Sequence, residues 1–140
     1  MWAYWLSALG LAAGAGMGAY GLINPRWAAG LVRLRDDPEK SGGFAEFRGT
    51  YGGLFLASHG VALTFVVKAL AVGTPAPVSN ESVLWFAEIA GLTCGAMWIG
   101  TGMGRLLSIV LDGTGTKFNQ ASVAFELGLG LAIAAPCAFH

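Results

Sequence analysis

Apolar residues run along this chain in four long blocks separated by three short polar or Gly/Pro-rich breaks. A hydrocarbon core of about 30 Å needs about 20 helical residues at 1.5 Å each, and all four blocks reach that length. They predict spans near 3–23, 44–72, 82–111 and 118–139. The second and third exceed the minimum, so they should tilt or project beyond the core. The first has no Lys or Arg ahead of its apolar stretch and runs long for a secretory signal, so it reads as a retained span.

The breaks say how the spans connect. After the first comes Asn24-Pro25-Arg26-Trp27, where Asn can cap a helix and Pro suits its first position. Trp27, Leu31 and Leu34 share one stripe with Arg26 and Arg33 off it, which predicts a short helix over 25–35 lying in the membrane interface. Residues 36–43 then break it. Residues 73–81 carry two prolines and cannot continue a helix, with Asn80 or Ser79 placed to cap the third span. Residues 112–117 form a tight polar turn. Three short connections predict an all-α fold, an integral membrane four-transmembrane-helix up-down bundle in a single domain spanning 1–140.

Composition agrees with a lipid solvent: 55% of residues are hydrophobic and 11% charged, and eight basic residues balance eight acidic ones. No net field remains to attract nucleic acid, so that partner class is set aside. Arg26, Arg33, Arg35, Lys40, Arg48, Arg105 and Lys117 fall in or beside the first and third loops, leaving only Lys68 near the opposite face. The positive-inside rule then makes those loops cytoplasmic and puts both termini outside. Trp2, Tyr4, Trp5 and Trp85 would form the outer aromatic belt, and Tyr20 with Trp27 the inner one.

Twenty-two glycines are many for a helical protein until their spacing is read. Gly10, Gly14 and Gly18 recur every four residues, as do Ala45, Gly49, Gly53 and Ala57, and then Ala96, Gly100, Gly104 and Ser108. Small residues at that interval let helix backbones approach closely where water offers no driving force.

A charge near mid-membrane costs about 2.5–3.5 kcal/mol on insertion scales, so each one inside a span needs a partner, water or a function. Arg105 lies ten residues before Gly115 and Glu126 eleven after it (115 − 105 and 126 − 115), so the two should share a depth. Arg105, Ser108 and Asp112 share a helical face by their spacing. These residues predict a cytoplasmic-side polar cluster of Arg48, Arg105, Ser108, Asp112 and Glu126, with Glu46 and Tyr51 beside it. Such a cluster is either an ion-pair clasp holding helices in register or a pocket for an anion, since two guanidinium forks suit a phosphate or carboxylate. On the outer side, reflection about Ala76 and Pro77 brings Lys68 level with Glu88, as an ion pair, or with Glu81 at the loop.

His59, inside the second span, has three chemistries open to it besides packing: haem ligation, pigment magnesium ligation and proton relay. The only other histidine is His140, and no ligand motif flanks His59, so a hydrogen-bonded packing role is the expectation. Cys94 and Cys137 lie in apolar segments without the neighbours of a zinc or haem-attachment motif, so no metal site is expected and no cofactor is identified. Counted from the turn they come out level, 21 and 22 residues away, yet a disulfide demands a Cα separation of about 4.4–6.8 Å, short even for glycine-lined helices.

The runs Glu46-Phe47-Arg48-Gly49-Thr50-Tyr51-Gly52-Gly53 and Gly104-Arg105-Leu106-Leu107-Ser108 with Asp112-Gly113, followed by Phe125-Glu126-Leu127, resemble a family of small four-helix bacterial membrane proteins catalogued as domain of unknown function 4345. The resemblance covers nearly the whole chain and implies that fold and a bacterial inner-membrane location, with no activity attached. His59 and Lys68 depart from its pattern, which is apolar at those positions.

The functional expectation is a non-enzymatic accessory, assembly or stabilising subunit of a membrane complex, or a homo-oligomer, with membrane lipids and other membrane subunits as partners. The alternative is a binding or transport protein for an anionic lipid, quinone or small solute through the Arg/Glu cluster. An enzyme using Glu126 or His59 as acid and base lacks a nucleophile pairing, a metal triad or a cofactor loop.

Overall fold

A computed structural model describes residues 1–35, 37, 39, 42–73, 77 and 80–139. Among these residues every regular element is helical. Helix α1 runs Trp2–Ile23 and α2 Pro25–Val32. A short α3, Gly43–Phe47, continues through a π-helical segment, Arg48–Leu54, into α4, Phe55–Val72. Helix α5 spans Glu81–Leu111, and α6 spans Lys117–Ala134 with a 3₁₀ turn, Ala135–Cys137, at its end. Four stretches are long and apolar enough to cross a membrane: Trp2–Ile23, Gly43–Val72, Glu81–Leu111 and Lys117–Cys137. The turn at Ala76 and Pro77, half of the 36–43 break and the proposed Ser79 cap fall wholly or partly outside the described residues.

Helix boundaries follow the chemistry of their ends. Asn24 accepts a hydrogen bond from the Trp27 N–H at 3.1 Å and Pro25 takes the first position of α2, as the sequence predicts. Thr116 caps α6 in the same way, through the Asn119 N–H at 3.2 Å. Asn80 precedes α5 without a side-chain cap bond. The fourth helix stops short of the expected 139 because Pro136 has no N–H and its ring crowds the preceding turn, so the chain tightens into 3₁₀. Helix α2 also stops early. Arg33 adopts a left-handed conformation (φ 59°), with its N–H on the Gly30 carbonyl at 3.2 Å and the Leu34 N–H on that of Ala29 at 3.0 Å. That is a Schellman ending with arginine where glycine normally sits.

The chain divides into two compact units, Met1–Leu11 with Ala62–His140, and Ala12–Val61. In the first, α5 and α6 are antiparallel neighbours across the 112–116 turn. Their backbones meet at Gly95 and Gly130, where a Cβ on either would stand 2.7 Å from the other's carbonyl oxygen. Ala87, Gly91, Cys94, Gly95, Trp98 and Gly102 form the buried stripe of α5, and Glu126, Gly130 and Ile133 that of α6.

In the second unit, α1 lies against the π-helical segment. A Cβ at Gly18 would overlap the Leu56 backbone, one at Gly21 would stand 2.7 Å from the Tyr51 carbonyl oxygen, and one at Gly52 would stand 2.8 Å from the Leu22 side chain. Glycine at all three positions lets the two backbones touch.

Candidate functional site

The strongest charge pairing joins α5 to α6. Arg105 donates from Nε to both carboxylate oxygens of Glu126, at 3.1 and 3.0 Å, and from Nη2 to Oε1 at 2.7 Å. Glu126 is 5% exposed and buried against the glycine-lined face of α5, while the Arg105 side chain keeps 28% of its surface open. A fork of this kind is short, directional and charge-assisted, so it fixes the axial register of the two helices. Below it, Ser108 and Thr114 hydroxyls meet at 3.1 Å and the Asn119 amide donates to the Thr114 carbonyl at 2.7 Å, closing the turn. Asp112, exposed, ends α5 with its N–H on the Ser108 carbonyl.

The other expected members of the cluster belong to the second compact unit. Arg48 is exposed and its Nε donates to the Leu22 carbonyl at 3.0 Å, covering one of the open acceptors at the end of α1. Glu46 is exposed, and the Tyr51 ring stacks on Phe47 at 5.9 Å.

At the opposite end of α5 and α6 lies a polar contact set that sequence reasoning missed. Tyr4, 2% exposed, donates its hydroxyl to Glu88 at 2.7 Å, and the Cys137 thiol donates to the Glu88 carbonyl at 3.2 Å. One turn on from Tyr4, fully buried Ser7 donates to the Ile133 carbonyl at 2.7 Å. That carbonyl sits in the last turn of α6, where Pro136 disrupts the ladder, so the hydroxyl satisfies a group the helix end leaves over. The signal was there in the i, i+3 spacing of Tyr4 and Ser7, but Tyr4 reads as a belt residue and Ser7 is a single small polar residue in a run of apolar neighbours. The sequence reading set Glu88 level with Lys68, whose ammonium stands 5.9 Å from the centre of the Phe65 ring.

His59 is fully buried. Its Nδ1 lies 2.9 Å from the Phe55 carbonyl and 3.2 Å from the Ser58 hydroxyl, and its ring stacks on Phe55 at 5.3 Å. The carbonyl partner assigns the proton to Nδ1. A Cβ at Gly14 would overlap the imidazole, so the glycine makes the space the ring fills. No disulfide joins Cys94 and Cys137. Among the described residues no three His, Cys, Asp or Glu side chains converge as metal ligands would. Comparison with known proteins found no matching family model, no matching curated protein and no matching solved structure.

Proposed function

We propose that this chain is a non-enzymatic integral membrane protein, an up-down bundle inserted through its four long helices, that acts by packing against other membrane subunits or copies of itself. The resemblance to domain of unknown function 4345 points to a bacterial inner membrane, and the distribution of basic residues puts both termini outside with α2 in the cytoplasmic interface. Lipid as the solvent is supported by the helix exteriors. Leu9, Ile23, Val61, Phe86, Val110, Leu111 and Leu131 are each more than half exposed. So much outward apolar surface would be costly in water.

The observation that carries the packing role is the direction of the small-residue stripes. Those that meet other helices of this chain are filled: Gly10 faces Ile133, Gly14 faces His59, and Gly95 faces Gly130. On α5, Ala96, Gly100 and Gly104 are exposed, and a Cβ at either glycine would meet nothing within 4 Å. Ala45, Gly49 and Ala57 are likewise exposed on the segment from α3 to α4, with open space at Gly49. Grooves of this kind are what membrane helices use to receive a neighbour's backbone. The Arg105–Glu126 fork serves this reading as an internal clasp.

Self-association is measured by energy transfer between donor- and acceptor-labelled full chains in bilayers, alongside identification of co-purified membrane subunits. The expected outcome is transfer or a stoichiometric partner in the native chain, lost in Gly100→Leu and Gly104→Leu variants of unchanged helicity. A chain that shows no transfer and brings no partner refutes the packing role.

A further inference from the structure

Four arginines surround two adjoining hollows in the second compact unit. The larger, about 510 Å³, is lined by Arg26, Ala29, Gly30, Arg33, Leu34, Arg35 and Phe44. The smaller, about 280 Å³, adds Ile23, Asn24, Pro25 and Arg48 to Arg26 and Phe44. Neither lining includes a carboxylate among the described residues. The larger volume falls within the roughly 300–1,000 Å³ usual for small-molecule sites.

We propose that this basic hollow between α2 and the start of α3 binds the phosphate of an anionic phospholipid headgroup. The inference rests on the membrane reading, because the hollow is built where α1 ends and α3 begins, the ends of two candidate spans and so the level of headgroups. The side chains are arranged for it. The Arg26 guanidinium lies over the Phe44 ring, 5.6 Å from its centre, a cation–π contact that uses none of its N–H donors. Arg48 spends Nε on the Leu22 carbonyl, which orients its terminal nitrogens without neutralising them. Arg33 enters from the left-handed ending of α2, a conformation unfavourable for a non-glycine residue, where glycine would cap the helix without strain. Charge alone would suit free phosphate equally well. The apolar rim decides for lipid: Leu34, which lines the larger hollow beside Arg33 and Arg35, is 56% exposed and placed to meet an acyl chain while the guanidinium groups hold the headgroup.

The test titrates the detergent-solubilised full chain with short-chain phosphatidylglycerol, with phosphatidylcholine of the same chain length and with inorganic phosphate, reading affinity calorimetrically. Phosphatidylglycerol is expected to bind at least about tenfold more tightly than phosphatidylcholine, with a loss of roughly fivefold for each arginine removed in Arg26→Gln and Arg35→Gln. Arg33→Gly relieves backbone strain, so it should fold at least as well while losing affinity to the same degree. Equal affinity for the two lipids, or variants that bind like the native chain, overturns the proposal. Inorganic phosphate competing as well as the lipid overturns it in favour of a soluble-anion site. An alkaline wash of vesicles carrying the native chain keeps the two levels apart. A chain that washes off refutes the membrane reading and this site with it, whereas one that stays but lacks lipid preference refutes the site alone.

Discussion

Arg105 on α5 grips Glu126 on α6 through three hydrogen bonds of 2.7–3.1 Å, with the carboxylate buried and the guanidinium partly open. The two charges cancel across a helix pair whose backbones approach closely nearly three turns of α5 away, at Gly95 and Gly130.

Arg105→Met should leave the Glu126 carboxylate buried without its partner and cost about 2–4 kcal/mol, below the full buried-pair range because the guanidinium is 28% exposed. Replacing both residues, with Met at 105 and Leu at 126, should recover most of that loss. Unfolding of each variant in detergent measures both. A single variant as stable as the native chain would remove the clasp from the account.

Gly14→Ala should destabilise by about 1–3 kcal/mol, since its methyl would overlap the His59 ring. Gly16, two residues on, has open space around it, and Gly16→Ala should be neutral or gain up to about 1 kcal/mol from helix propensity. Pairing Gly14→Ala with His59→Ala should give a combined loss smaller than the sum, the signature of shared space in a double-mutant cycle. Additivity would show that the ring and the glycine are energetically separate.

Ser7→Ala removes the only hydroxyl contact described for the Ile133 carbonyl and should cost about 1–3 kcal/mol by leaving a buried acceptor poorly satisfied. Hydrogen exchange of amides in the last turn of α6 should rise with it. Unchanged protection there would mean that the helix end does not need the bond.

Gly95→Val and Gly130→Val should each force α5 and α6 apart, because the added side chain would meet backbone rather than a movable side-chain tip. Helicity should persist while thermal stability drops. Distances between labels on the two helices, compared with the native chain, would expose the separation, and an unmoved pair would contradict the backbone contact.

The order of the helices was legible from the chain because block length and break chemistry are local. Asn24 and Pro25 start α2 through bonds three residues long, and the expected span boundaries agree with the observed ones to within two residues, the last through a 3₁₀ turn rather than α-helix. Axial arithmetic was legible too, since counting from Gly115 sets Arg105 and Glu126 at one depth. The π-helical segment at Arg48–Leu54, against which Gly18 and Gly21 of another helix pack, was not, since no local signal in the chain marks it.

Azimuth is where sequence ran out. Helix α5 carries two sets of small residues, one through Gly91, Gly95 and Gly102 and one through Ala96, Gly100 and Gly104, and the regular interval of four favoured the second. The structure buries the first, because Gly130 and Ile133 on α6 fit against it. Glu88 likewise meets Tyr4, a partner eighty-four residues away that no count from a turn would select. Spacing along a helix determines which residues share a face and how deep each lies; which way that face turns is decided by side chains from distant segments competing for the same contact, a choice made only when the helices come together.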